Sequence, residues 1–209
     1  MNNGLPPLPS PGGYEQAYAA SHDLAFEKLR QADLADICIK SGAVQVGADV
    51  VRLPFLNRDH LVDRLQGQVI LHTDTKPVPI AERLLILHYL VTASGAPSRG
   101  EWISFKDLPD GLLYDSTFYK RTVKLLLKKF GDSPAKLTAA AAKIGGIPVQ
   151  MGDAAVTFQA FPKVAVSWVL WQGDDEFPAE GSILLDRGIP DYLPTEDIVV
   201  LCQTIALKL

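Results

Sequence analysis

Val164-Ala-Val-Ser-Trp-Val-Leu-Trp171 is apolar in both registers of a strand. One face carries Val164, Val166, Trp168 and Leu170; the other carries Ala165, Ser167, Val169 and Trp171. A strand that alternates polar and apolar is half-buried, whereas one that is apolar throughout is covered on both sides. This stretch is therefore expected to be covered on both sides. Working back, Pro162 separates it from Ala155-Val-Thr-Phe158, and Ile147-Pro-Val-Gln150 comes before that. Working forward, Ser182 to Leu185 is a further strand. The first three read as a hairpin or meander.

Helical patterns surround the meander. Tyr14, Tyr18, Ala25 and Leu29 recur at helical spacing and predict a helix from about Tyr14 to Arg30. Pro79 to Ala93 is a second, with Pro79 suited to a first turn. Glu82 and Arg83 sit on one side of it, with Leu84, His88 and Val91 opposite. Nearly every other position is also apolar, which predicts a central, buried helix. Asp115 to Phe130 is a third, capped by Asp115 or Ser116 and stopped by Gly131. Pro134 to Ile144 is alanine-rich and ends at Gly145-Gly146. The last runs from about Glu196 to Lys208, with Thr195 as cap and Glu196 and Asp197 at the positive end of its dipole. Ala43-Val-Gln-Val46, Val50 to Leu53, Val69 to Leu71 and Trp102 to Phe105 read as short strands. Without strand–helix–strand alternation, the pattern is α+β: a mostly antiparallel sheet packed with about five helices. Residues 1–13, rich in Pro and Gly, are expected as a disordered arm, and 14–209 as a single domain.

Bulk properties narrow the functional classes. The chain has 209 residues and a net charge of −4, which gives no general drive toward nucleic acid or anionic membrane. Cys38 and Cys202 form no C-x-x-C pair, so neither a disulfide framework nor a cysteine metal site is expected. The start of the chain has no basic, apolar signal pattern, and no apolar run spans a bilayer. A cytoplasmic location follows as an expectation. Phosphate-cradling, dinucleotide, zinc-protease and nucleophile-elbow motifs are absent.

Three constellations hold possible chemistry. Asp174-Asp175-Glu176, with Asp153 in a nearby loop, offers clustered carboxylates for a divalent cation such as Mg²⁺ or Ca²⁺; the plain alternative is a solvated turn. His88, on its apolar helix, suits ligation of a metal or of the iron or cobalt of a macrocycle, or else service as a satisfied core histidine. Lys120, Lys124 and Lys128, with Arg121 beside them, form a basic stripe for phosphates, cofactor carboxylates or an acidic partner; it also suits an ordinary solvated face. Trp102, Trp168 and Trp171 serve either an aromatic pocket or the core. His22, His60 and His72 have no context that ranks them.

Several blocks are distinctive in combination. They are Leu87-His-Tyr-Leu90, Trp102-Ile-Ser-Phe105 with Leu108-Pro-Asp-Gly111, Gly152-Asp153, Trp171-Gln-Gly-Asp-Asp-Glu-Phe-Pro-Ala179, Ile183-Leu-Leu-Asp186 and Tyr192-Leu-Pro-Thr-Glu-Asp197. Over roughly residues 15–209 the chain resembles an uncharacterised bacterial and archaeal domain-of-unknown-function family of strict anaerobes. Some members are fused to a four-cysteine iron–sulfur domain of the corrinoid-protein type. The resemblance implies a setting of anaerobic one-carbon, corrinoid or redox metabolism. With two cysteines, this chain cannot hold such a cluster alone.

Three functional expectations result. The first is a module binding a small-molecule cofactor, with corrinoid and haem as the candidates, through His88, Trp168, Trp171, Lys120 and Lys124. The second is an accessory subunit with a redox or other protein partner. The third is a metal-dependent enzyme using Asp153, Asp174, Asp175 and Glu176.

Overall fold

The computed structural model describes residues 11–74 and 76–209, with side chains from Ala19 onward. The disordered arm expected at 1–13 falls outside the described residues, except that helix α1 (Pro11–Gln31) already includes its last three positions. In α1, Ala25 and Leu29 are buried as their spacing predicts. Tyr14 and Tyr18 lie outside the described side chains.

A short helix that the sequence reading missed, α2 (Leu34–Ser41), follows at once. Its ends carry local signals. The Asp33 carboxylate accepts from the Ala35 N–H at 2.9 Å, and Gly42 closes it at φ 76°, a conformation that favours glycine. A β-carbon on Gly42 would sit 2.8 Å from Pro162 Cβ, so close approach also demands glycine there.

The first sheet is antiparallel in the order β1 (Val44–Gln45), β2 (Val50–Phe55), β3 (Arg58–Asp63), β4 (Gln68–Leu71). Strand β3 was not expected, because Arg58-Asp-His-Leu-Val-Asp63 is mostly polar. Its alternation is real: His60 and Val62 are buried. Leu56 and Asn57 make the tight β2–β3 turn at φ 46° and 60°, the positive values that two-residue hairpins favour. Leu56 is an unusual residue for this conformation. It is buried, and its N–H donates to the Ala160 carbonyl at 3.1 Å, so the hairpin tip docks on the second sheet.

Next come α3 (Ile80–Thr92), β5 (Trp102–Ser104), α4 (Gly111–Arg121), α5 (Val123–Phe130) and α6 (Pro134–Ala142). The single helix expected over 115–130 is in fact these two, α4 and α5. Thr122, fully buried, breaks it at φ −130° and ψ −79°, and its hydroxyl donates to the Phe118 carbonyl at 2.6 Å. The expected caps at Asp115 and Ser116 are also corrected, since α4 starts four residues before Asp115, after Asp110. Beyond the break, Val123, Leu126 and Phe130 turn inward, and Gly181 on the neighbouring strand makes room for Val123 and Leu126.

The second sheet is also antiparallel, in the order β5, β9 (Glu180–Asp186), β8 (Val164–Trp171), β7 (Ala154–Phe161), β6 (Gly146–Val149). Strand β8 is central and buried on both faces until Trp171, as its composition requires. Helix α7 (Thr195–Lys208) closes the chain. Thr195 does not cap it; its hydroxyl donates instead to the Pro109 carbonyl at 2.9 Å. The class is therefore α+β, with two antiparallel sheets. Buried residues of both sheets and of α1, α3, α5 and α7 form one continuous apolar cluster.

Tyr89 ties the layers together. Its ring stacks on Phe161 at 4.2 Å and on Tyr192 at 5.9 Å. Its hydroxyl donates to the Ser41 carbonyl at 2.5 Å and accepts from the Lys163 N–H at 3.2 Å. One side chain thus joins α3, the end of α2 and the β7–β8 turn. Among the described residues, no helix is long and apolar enough to cross a membrane.

Candidate functional site

Helices α3 and α7 run antiparallel and are pinned by one polar pair at each end. At one end the His88 Nδ1 lies 2.6 Å from Asp197 Oδ2. At the other the Lys208 ammonium lies 2.8 Å from the Glu82 carboxylate. Both carboxylates are largely buried, with 11% of each side chain exposed. Buried charges of this kind persist only when paired.

His88 is not the fully buried residue its apolar helix suggested: 26% of its side chain is exposed. It lines a groove of about 220 Å³ with Ser21, Leu24, Ala25 and Lys28 of α1, Val91 and Thr92 of α3, and Pro194. When Nδ1–H donates to Asp197, the lone pair is on Nε2. A carboxylate behind an imidazole fixes ring orientation and tautomer, the arrangement used behind metal-bound histidines.

In the sequence Asp197 reads as a residue that complements the helix dipole. Its role as a histidine partner is a tertiary fact, since the two stand 109 positions apart in sequence. One signal was present: His88 and Asp197 belong to two of the blocks that carried the family resemblance. Tyr89 and Tyr192 of the same blocks stack, and the Thr92 hydroxyl donates to the Tyr192 carbonyl.

The other expected cofactor residues do not line this groove. Trp168 is completely buried on β8, edge-on to Phe158 at 6.5 Å, with no acceptor for its indole N–H. Trp171 is three positions on, so it points to the opposite face, where it is partly exposed. Lys120 precedes the Thr122 break and Lys124 follows it, so the stripe is divided between two helices; both lysines are exposed.

The acidic residues are held by their own backbone. Asp153 accepts from the Gln172 N–H at 2.7 Å. Asp174 accepts from the Phe177 and Glu176 N–H groups at 2.7 and 2.9 Å, which hold its carboxyl below the usual range. Asp175 and Glu176 are exposed in the same loop. Among the described residues, no three His, Cys, Asp or Glu side chains come together in a metal-ligating group. Asp186 is an anchor of another kind. Partial burial opposes its charge, but the Ser98 hydroxyl and the Arg99, Gly188 and Gly100 N–H groups hold its carboxyl below the ordinary value.

His60, unranked from sequence, is fully buried, with Nδ1 at 2.9 Å from the Arg58 carbonyl. Burial pushes its pKa down; the Arg58 carbonyl and Glu82 oppose this, and the Arg58 and Lys208 charges add to it. A larger cavity of about 970 Å³ opens along β4, residues 72–74 and 76–78, and Arg83, away from the site residues proposed from sequence.

Neither a curated protein nor a solved structure matches the chain. A family does match, over residues 33–208, and that span takes in both partners of each α3–α7 pair. The chain belongs to the family described as "Domain of unknown function (DUF3786)".

Proposed function

We propose that this protein is a ligand-binding module in which His88, oriented by Asp197, presents Nε2 to a cofactor docking at the α1–α3 groove. The observation behind this reading is the 2.6 Å His88–Asp197 contact beside a surface groove. Apolar Leu24, Ala25 and Val91 surround the imidazole, and Lys28 stands at the groove for an acidic substituent. The groove, about 220 Å³, is smaller than the roughly 300–1,000 Å³ of pockets that enclose drug-sized ligands. A tetrapyrrole would therefore not be enclosed, and His88 is the residue that would ligate its metal. A corrinoid or haem agrees with the resemblance to a family of strict anaerobes with iron–sulfur fusions, and with a cytoplasmic setting.

The test is a visible-absorbance titration of the anaerobically purified protein with cobalamin and with haem, supported by native mass spectrometry. A stoichiometric complex with shifted axial-ligand bands is expected. His88→Ala abolishes the shift, and Asp197→Asn weakens binding about 10- to 100-fold, the usual cost of losing the group behind a ligating histidine. An unshifted wild-type spectrum with a clean apo mass sinks the reading.

A second reading has its own observation. Leu112 and Leu113, adjacent at the start of α4, are each 75% exposed. Neighbouring exposed leucines favour an accessory subunit that covers them with a partner. A mass shift on mixing with native lysate, lost in Leu112→Ser/Leu113→Ser, separates this reading from the first.

A further inference from the structure

The opposite end of the α3–α7 pair holds a second cavity, of about 330 Å³. Four parts of the chain converge on it. The β2–β3 hairpin brings Phe55, Leu56 and Arg58; α3 brings Glu82; the end of α6 brings Lys143 and Ile144; and α7 brings Lys208. Three cations thus meet one carboxylate in a protein whose net charge is −4. Glu82 is already neutralised by Lys208 at 2.8 Å. Arg58 also meets Asp74 at 3.2 Å, an exposed contact that occupies one end of its guanidinium. Lys143 has no carboxylate partner among the described residues.

Helix-end position explains part of this. Lys143 and Lys208 each stand at a helix C-terminus, where a cation complements the dipole. That accounts for their residue type, but not for their convergence with Arg58 on one cavity. The remaining wall is apolar, from Phe55, Leu56 and Ile144. The hairpin that carries it is held in place: Leu56 donates to Ala160, and Asn57 packs so closely on Gly145 that a β-carbon there would lie 2.4 Å from Asn57 Cβ.

We infer that this cavity binds a small organic anion, a phosphate or carboxylate on a short apolar body, with Lys143, Lys208 and Arg58 around the anionic head and Phe55, Leu56 and Ile144 against the apolar part. Charge-assisted hydrogen bonds from ammonium and guanidinium groups suit such a head. The site is separate from the His88 groove, with which it shares no lining residue.

Calorimetric titration with butyl phosphate and with butyrate, against sodium chloride at matched ionic strength, tests it. At least one of the two anions binds saturably, and amide NMR shifts concentrate at Leu56, Arg58 and Ile144. Lys143→Ala, at an exposed position, lowers the affinity about tenfold, the loss of one charge-assisted contact, and Lys143→Glu abolishes binding. His88→Ala leaves the affinity unchanged, so failure of the cofactor reading and failure of this one are distinguishable. Absence of saturable heat with both anions, or full affinity in Lys143→Glu, overturns the proposal.

Discussion

Tyr89 shows what a single side chain does in this molecule. Its phenol is fully buried, and burial raises its pKa, so it serves as a neutral donor and acceptor. Removing only the hydroxyl, in Tyr89→Phe, keeps the stacking on Phe161 but leaves the Ser41 carbonyl and the Lys163 N–H without their partner. Unsatisfied buried groups cost about 1–3 kcal/mol, and that loss of stability is expected in urea denaturation. A change below the error of the measurement would mean that water replaces the hydroxyl. His60 works in the opposite electrostatic sense. Its folded pKa lies below the ordinary value of about 6.5, so the unfolded chain takes up a proton more readily than the native one. The sign follows from linkage: stability attributable to His60 is complete above about pH 6.5 and declines as pH falls from there toward the folded pKa. Burial is the main cause of that shift; the Arg58 carbonyl and Glu82 oppose it, and the Arg58 and Lys208 charges add to it. His60→Leu is expected to flatten the stability profile across this window. An unchanged slope would place the titration elsewhere.

At the level of elements, the packing of α6 on β6 and β7 depends on a missing side chain. A β-carbon on Gly146 would lie 2.6 Å from the Phe158 ring and 2.7 Å from Ala141 Cβ. Both neighbours are buried, so neither can move aside cheaply. Gly146→Ala is therefore expected to destabilise by about 1–3 kcal/mol, the usual range for overpacking, with a lowered midpoint in thermal unfolding. Wild-type stability in this variant would show that α6 sits less tightly than its contacts indicate. The same element shows what a linear reading recovers. Pro134, the alanine run and Gly145 are local start and stop signals, and α6 lies where they put it. The long helix expected over 115–130 was misread because its apolar and basic residues keep helical spacing through the break. Only the burial of Thr122, and its hydroxyl bond back to Phe118, interrupt the ladder.

Across the whole molecule, α3 and α7 form a spine with a polar pair at each end. Each pair stands beside one of the two candidate sites. Two antiparallel sheets share one apolar cluster with this spine. That continuity predicts a single cooperative unfolding transition, with fluorescence of the buried Trp168 and far-ultraviolet circular dichroism giving the same midpoint. Two resolved midpoints would mean that the sheets unfold as separate units.

The apolar alternation of Val164–Trp171, the turn residues around it and the helical spacing elsewhere were enough to specify the α+β class, the meander and the positions of most helices. These are local properties, set by neighbours within a few residues, and so they are legible in a linear chain. His88 was singled out on the same grounds. Its partner was not, because Asp197 reads as a dipole-complementing residue until α7 docks on α3. Glu82 likewise reads as one polar position on an apolar helix until Lys208 arrives from the far end of the chain. Tertiary structure alone decided these pairings, the burial of His60 and the convergence of Arg58, Lys143 and Lys208. Each depends on contacts between residues distant in sequence, which helix and strand periodicity do not encode.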